Sequence, residues 1–238
     1  NKMIKIKEAE VAYAKQREME NVHNEMYAKM LSIFVPDEDL RRRLFDSVRT
    51  MDTIKAKAEW YCNYINSDKP YCVKLIASAI VEGIFFSGSF ASIFWLKTKK
   101  GNPLGGLRKS NKYIARDEGT HYLLAKLIYS ELKNKLLEEE ITKIIIEAVE
   151  LEKNFIVGSL PCDLLGMNSD DMVEYIKYVA DRMLVDFGYT KLYNATNPFD
   201  FMNRIDLYSK DNFFEMRNDS YSNSKIGASE KLEWLDKF

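Results

Sequence analysis

One apolar stretch, Leu75–Leu96, constrains the fold of this chain more than any other feature of its sequence. It is 22 residues long, and Glu82 is its only ionisable residue. Such a stretch is typical either of a membrane span or of a helix buried on all sides at the centre of a bundle. A carboxylate in mid-span is costly in lipid, and several serines and glycines dilute the stretch. We therefore favour a buried central helix, in which Glu82 needs a partner because a lone buried carboxylate is expensive.

The composition favours an all-α fold around that helix. The chain has only 10 glycines and 5 prolines in 238 residues, which argues against a turn-rich all-β protein. Hydrophobic residues make up 46%, enough for a large core. We predict about six to eight helices. Besides the central one, they cover the ranges 7–34, 38–66, 112–134, 138–159 and 169–193, with Ser169 as the N-cap of the last.

Charge and cysteine content exclude several classes of protein. Lys and Arg number 35 against 36 Asp and Glu, so the net charge of -1 argues against general electrostatic binding to nucleic acid. The three cysteines, Cys62, Cys72 and Cys162, are too far apart for a zinc cluster and too few for a disulfide framework. We expect a cytoplasmic protein that binds neither nucleic acid nor a membrane.

The two histidines of the chain stand in the same local pattern. Glu20 precedes His23 by three residues, and Glu118 precedes His121 by three. On a helix such pairs share one face, so each offers a carboxylate and an imidazole to the same point. A single pair is more often a surface hydrogen bond. Two pairs together with Glu82 on a third helix match the carboxylate-bridged di-metal site of helical bundles, and this donor set suits iron or manganese.

Such a site also needs a carboxylate from a fourth helix, and the sequence does not provide an obvious one. Glu8 lies on the same predicted helix as Glu20, about 18 Å along its axis at 1.5 Å per residue. Glu59 is flanked by Lys55 and Lys57, so a solvated face is its more natural interpretation.

An aromatic residue follows the first Glu-His pair on the same face. Tyr27 lies two helical turns beyond Glu20, and Phe86 and Phe90 lie one and two turns beyond Glu82. Ile114 lies one turn before Glu118. Convergence of the three helices would enclose the Tyr27 phenol in hydrocarbon beside the metals, which suits a redox-active tyrosine, although core packing is the default for any one of these residues.

At these residues the chain closely resembles the small, radical-generating subunit of class I ribonucleotide reductase. Its sequence is most similar to the eukaryotic and viral branch of that family. The resemblance covers about nine tenths of the chain. The matching segments are Glu20-Asn-Val-His-Asn-Glu-Met-Tyr27, Val81-Glu-Gly-Ile-Phe-Phe-Ser-Gly-Ser-Phe90, Ser110-Asn111, Arg116-Asp-Glu-Gly-Thr-His121, Leu160-Pro-Cys-Asp-Leu-Leu-Gly-Met-Asn168, Val179-Ala-Asp-Arg182, Asn197-Pro-Phe-Asp-Phe-Met202 and Asn212-Phe-Phe-Glu215.

The resemblance implies a ferritin-like helical bundle and a role for each matching residue. It implies di-iron ligands with two irons per subunit, and these ligands are Glu20, His23, Glu82, Glu118 and His121. It makes Tyr27 the stable radical, in a pocket lined by Phe86, Phe90 and Ile114. It also makes Asp117 the carboxylate that links His23 to a radical-transfer tryptophan, and Tyr221 the relay to a large subunit.

The resemblance further implies how the chain is organised. Residues 1–218 would form the small-subunit domain, and residues 219–238 a flexible tail whose end, Trp234–Phe238, docks on the large subunit. A homodimer or a heterodimer with a second small subunit is expected. The sixth ligand, an aspartate, and the tryptophan would fall before Asn1, so part of the N-terminal helices would be missing and the site would be empty or partly filled.

Three departures from the family pattern leave an alternative open. Lys15 and Arg17 stand where the family usually has apolar or aromatic residues, and Leu123 replaces a common polar residue. Some organisms have a companion small subunit that lacks metal chemistry and stabilises an active partner. Retention of the five ligands and Tyr27 favours the active subunit. An iron-storage protein with a ferritin-like fold would lack the enclosed tyrosine and Asp117.

Overall fold

The computed structural model describes residues 6–96, 104–159 and 167–202. Across these ranges the secondary structure is helical and contains no β-strand. The α-helices are α1 (Lys7–Phe34), α2 (Glu38–Phe45), α3 (Ser47–Thr50), α4 (Asp52–Ile65), α5 (Tyr71–Ile80), α6 (Ser87–Trp95), α7 (Gly105–Ser130), α8 (Glu138–Ser159) and α9 (Ser169–Asp186), and a π-helical turn (Val81–Phe85) joins α5 to α6. The all-α prediction is therefore confirmed.

Several predicted boundaries are wrong for local reasons. The predicted helix over 38–66 is three helices. Helix α7 begins at Gly105, seven residues earlier than predicted, and so includes two exposed glycines despite their low helix propensity. Helix α9 ends at Asp186, two residues before Gly188, whose φ of 88° is left-handed. Its N-cap is Asn168, whose side chain accepts a hydrogen bond from the Asp170 N–H at 2.9 Å, and not Ser169.

The apolar stretch forms the centre of the bundle, as predicted. No residue from Tyr71 to Leu96 is exposed, and Ile76, Ile80 and Ile84 are completely buried. The stretch packs against α4, α7, α8 and α9. The helical run Tyr71–Trp95 is long and apolar enough to cross a membrane, with a mean hydropathy of 1.6, but the core helix of a soluble protein has the same length and composition.

The central helix is not continuous, because the π-helical turn interrupts it. A π-helical turn adds one residue per turn and is frequent at functional sites. Glu82 is the second residue of this turn. The interruption therefore falls at the one ionisable residue of the stretch.

The helices that flank the central one differ in how they are buried. Helix α7 buries a stripe at helical spacing, and its members are Asn111, Ile114, Glu118, His121, Ala125 and Tyr129. Helix α1 lies along α7 and buries only His23 of its 28 residues. The described residues all belong to one compact unit, Asn1–Met202. The predicted boundary at residue 218, Tyr221 and the tail lie outside the described residues.

Candidate metal centre

Three elements bring carboxylates and imidazoles to one place. Helix α1 provides Glu20, the π-helical turn provides Glu82, and α7 provides Glu118 and His121. One ligand atom from each of these four residues lies within 4.8 Å of the others. Glu118 and His121 are buried, whereas Glu20 and Glu82 are half-buried. The Glu-x-x-His spacing places the two α7 groups on one face, as the sequence predicts.

Glu118 lies between the two imidazoles. Its Oε1 is 2.9 Å from His23 Nδ1, and its Oε2 accepts a hydrogen bond from His121 Nδ1 at 2.7 Å. Glu20 approaches the same atoms, with Oε1 at 3.0 Å from His121 Nδ1 and Oε2 at 3.8 Å from His23 Nδ1. The two imidazole ring centroids are 6.3 Å apart. All five residues that the sequence singled out as ligands therefore lie together.

The far side of the His23 ring is held by a carboxylate. His23 Nε2 lies 3.3 Å from Asp117 Oδ2, and the other Asp117 oxygen accepts hydrogen bonds from the Arg116 guanidinium at 3.0 and 3.2 Å. A carboxylate in this position fixes the orientation and the tautomer of an imidazole whose other nitrogen faces a metal. The structure thus places Asp117 beside His23, where the sequence interpretation put it.

Glu82 has a partner that sequence reasoning missed. Gln16 on α1 donates a hydrogen bond from Nε2 to Glu82 Oε1 at 3.1 Å. The signal was available, because Gln16 lies one helical turn before Glu20 and therefore on the same face of α1. The Gln16 amide orients Oε1 of Glu82, and the second carboxylate oxygen, Oε2, takes no part in this bond.

The like charges of the cluster shift its pKa values. Burial and the nearby Glu118 carboxylate raise the pKa of Glu82 to about 9. Burial alone would lower the pKa of His121, but hydrogen bonds with Glu118 and Glu20 outweigh it and raise that pKa to about 10. The hydrogen bond with His121 lowers the pKa of Glu20. The cluster thus holds protons where a cation would relieve the repulsion between carboxylates.

Three buried polar atoms of the cluster lack a hydrogen bond of good geometry within the described part of the chain, although two of them lie 2.9 and 3.0 Å from a neighbour in the cluster, Glu118 Oε1 and His121 Nδ1. They are Glu20 Oε1, His23 Nδ1 and Glu82 Oε2. Buried polar atoms normally have partners, so such atoms call for an explanation. Two carboxylate oxygens and an imidazole nitrogen are the donor types that bind iron or manganese. The residues therefore fit a metal.

The environment of Tyr27 differs from the predicted one. The ring was expected to be enclosed, yet 39% of Tyr27 is exposed. It lies on α1, which packs against α7 and α2 within the described residues. Phe86 and Phe90 stack with ring centroids 5.8 Å apart, and Ile114 is buried. Burial of the hydroxyl, together with Glu118 and Glu20, raises the pKa of Tyr27 to about 12, so the phenol keeps its proton at neutral pH.

The alternative fourth carboxylate is not at the site. The Glu59 side chain is 63% exposed and lies 3.8 Å from Lys55 Nζ, which confirms the solvated-face interpretation.

The sequence model of the family described as ribonucleotide reductase, small chain, matches residues 1–198. The chain belongs to this family. A ribonucleoside-diphosphate reductase small chain of Acanthamoeba polyphaga mimivirus is 56% identical over 99% of the chain, and one of Nicotiana tabacum is 46% identical over 96%. The predicted membership of this family is thereby confirmed, and these relatives are viral and eukaryotic.

A solved structure supports the ferritin-like fold of the family. The Saccharomyces cerevisiae ribonucleotide reductase Rnr4 homodimer superposes with a TM-score of 0.72 and 38% identity, over 82% of this chain and 63% of that one. The chain spans 57% of the length of the mimivirus protein and 69% of the tobacco protein.

Proposed function

We propose that the chain is the metal-binding core of the radical-generating small subunit of ribonucleoside-diphosphate reductase. The observation that supports this most directly is the convergence of Glu20, Glu82, Glu118 and His121 within 4.8 Å, with buried oxygens among them that lack a hydrogen bond of good geometry in the described part of the chain. In this proposal the subunit generates a tyrosyl radical that a large subunit uses to reduce ribonucleotides to deoxyribonucleotides.

The metal would be iron, two ions per subunit. Its ligands from this chain would be Glu20, His23, Glu82, Glu118 and His121, with Glu118 placed to serve both ions because it contacts both imidazoles. A bound metal pair of this kind supplies the oxidising power, with oxygen as the oxidant. The sixth ligand would be the aspartate expected before Asn1. A cavity of about 420 Å³ between α1 and α7, lined by Gln16, Asp117 and His121 among others, leaves room for it.

The protein residues have distinct tasks in this proposal. Asp117 holds the His23 ring through Nε2, which leaves Nδ1 free to face the metal. Gln16 orients Glu82. Tyr27 would supply one electron, and its hydroxyl, which the raised pKa keeps protonated, would supply one proton; both would pass to the oxygen that serves as the oxidant. Phe86, Phe90 and Ile114 would keep water and reductants from that radical.

The best test of this proposal is Tyr27→Phe in the protein purified at its natural full length. Iron content and fold should be unchanged, since Phe fills nearly the same volume. The tyrosyl radical in a low-temperature EPR spectrum and the reductase activity of the full complex should both disappear, because Phe has no phenol to oxidise. Wild-type protein without iron would contradict the metal proposal. A radical that survives the substitution would contradict the assignment to Tyr27.

The same experiment separates the active subunit from the metal-deficient companion, for which wild type would show no radical. The structure weakens one reason for the companion interpretation. Lys15 pairs with Glu18 at 2.9 Å, although it also lines the cavity beside Asp117 and His121, and Arg17 is exposed.

The proposed partners are a second small subunit and the large subunit. Docking on the large subunit would use the tail, residues 219–238, with Tyr221 as the relay and Trp234–Phe238 as the anchor. Removal of Trp234–Phe238 should lower affinity for the large subunit at least 100-fold and leave iron content unchanged, since burial of aromatic anchors dominates such interfaces. Surface plasmon resonance measures this, and unchanged affinity would contradict the docking role.

A further inference from the structure

A second buried ion pair lies on the other side of the π-helical turn from α1. Lys57 Nζ on α4 donates to Glu152 Oε2 on α8 at 2.6 Å. The Glu152 side chain is completely buried and that of Lys57 is 14% exposed. The ammonium also lies over the rings of Phe155 and Phe85, 4.1 and 4.9 Å from their centroids. The ammonium of this α4 residue is therefore bound by two other elements, α8 and the π-helical turn.

The third partner of this ammonium is the backbone of the turn. Lys57 Nζ donates to the carbonyl oxygen of Phe85, the last residue of the π-helical turn, at 2.7 Å. The carbonyl of the preceding residue, Ile84, accepts a hydrogen bond from the Ser87 hydroxyl, also at 2.7 Å. A π-helical turn shifts the register of the backbone hydrogen bonds by one residue. Here the side chains of Lys57 and Ser87 donate hydrogen bonds to the two carbonyls at this change of register.

The pair is poorly explained as a source of stability. Removing a lysine and a glutamate from water costs as much as their attraction returns, and apolar residues of similar volume often serve equally well. The close approach of α8 does not depend on the pair either. Gly88 on α6 makes that approach possible, because a Cβ there would come within 2.3 Å of Ile156 Cδ1. What the pair adds is a directed bond to one carbonyl.

We infer that Lys57 and Glu152 are positioning residues for Glu82. Glu152 anchors the ammonium to α8, and the ammonium holds the end of the π-helical turn, so that the turn keeps the register that carries Glu82 to Glu20, Glu118 and His121. This inference rests on the proposed metal site. Neither residue touches the cluster, and their effect on it passes through the backbone of residues 82–85.

The deciding variant is Lys57→Met with Glu152→Leu, which removes both buried charges together and takes the Lys57 donor away from the Phe85 carbonyl. The single variant Lys57→Met leaves Glu152 buried without a partner and is a weaker test because it destabilises the protein. Lys153→Met is the matched control. Lys153 is the next residue of α8 and pairs with Glu150 at the surface, at 3.2 Å.

Two measurements on the protein at its natural full length test the inference. The first is the affinity for Mn(II) alone, read from the EPR signal of the free ion. The second is hydrogen–deuterium exchange of the peptide that contains residues 81–86. The double variant should keep its thermal stability, bind Mn(II) about 10-fold more weakly, as is usual when a partner behind a ligand is lost, and exchange faster in that peptide. Lys153→Met should match wild type in both.

Unchanged Mn(II) affinity in the double variant would overturn the inference, and so would weaker binding with unchanged exchange in the turn. Wild-type protein that does not bind Mn(II) would instead count against the proposed metal site. In that case the exchange measurement alone decides whether the pair holds the turn.

Discussion

Buried acids in two regions of this bundle differ in how their carboxylate oxygens are hydrogen-bonded. Asp181 on α9 is 1% exposed, and its carboxylate accepts hydrogen bonds from the N–H groups of Leu192, Tyr193 and Ala195 at 2.8–2.9 Å. The carboxylates around Glu118 face one another and two imidazoles, and two of their buried oxygens lack a hydrogen bond of good geometry in the described part of the chain. A satisfied buried acid stabilises a fold, whereas an unsatisfied cluster indicates a missing ligand.

The sharpest way to break this comparison is to remove the central acid of the cluster. Glu118→Ala should abolish metal binding, because Glu118 contacts both imidazoles and no other residue occupies that position. Iron content after reconstitution should fall from about two per subunit to near zero, with an unchanged circular dichroism spectrum. Glu59→Ala, on the solvated face of α4, is the control and should bind iron like wild type. Full iron content in Glu118→Ala would refute the site.

The reciprocal test removes the satisfied acid. Asp181→Ala should lower the free energy of unfolding by about 3 to 5 kcal/mol, because three N–H groups in a partly buried loop lose a charged acceptor. Asp181→Asn keeps one acceptor oxygen and should lose about half as much. Urea unfolding monitored by circular dichroism measures both. A loss below about 1 kcal/mol would mean that water replaces the carboxylate there.

The smallest expected effect concerns pH. The metal-free folded protein holds a proton on Glu82 up to about pH 9, whereas the ordinary pKa of the group is 4.5. Its contribution to stability therefore falls as pH rises between these values. Glu82→Gln removes the ionisable group, so the metal-free variant should be more stable than wild type by about 1 to 2 kcal/mol at pH 8 and by much less near pH 5.

Thermal unfolding at the two pH values measures this difference. A gain of equal size at pH 5 and pH 8 would show that burial of the glutamine, and not loss of the charge, is responsible. Added Mn(II) should reverse the order of stability at pH 8, since the ion stabilises only the protein that binds it.

Much of this could be predicted from the sequence. A stretch of 22 residues with one acid specifies a buried helix almost alone, and the Glu-x-x-His spacing fixes which side chains share a face because helical geometry is local. The breaks at Phe45 and Thr50 and the π-helical turn at Val81–Phe85 were not predicted. The π-helical turn is bonded to a residue distant in sequence, Lys57, which a local pattern does not reveal.

The ligand residues of the site could be predicted from the sequence, whereas the residues that support them could not. Glu20 with His23 and Glu118 with His121 have a spacing that the chain has nowhere else, and Glu82 is the one acid of the apolar stretch. Gln16 and Lys57 carry no such pattern, and only the structure shows that one bonds to Glu82 and the other to the carbonyl of Phe85. The exposure of Tyr27 depends on what covers the outer side of α1, which spacing within one helix does not specify.

Helix α1 has a consequence for how the protein responds to the metal supply. It buries one residue, His23, and several of its side-chain bonds to the rest of the bundle run through Gln16, Glu20 and His23. Within the described part of the chain, the attachment of α1 therefore depends strongly on polar groups of this one cluster. With the proposed metal in place, its residence on the bundle would follow the concentration of free ion by mass action. The fraction of molecules in which this helix is docked would then rise with the concentration of available iron.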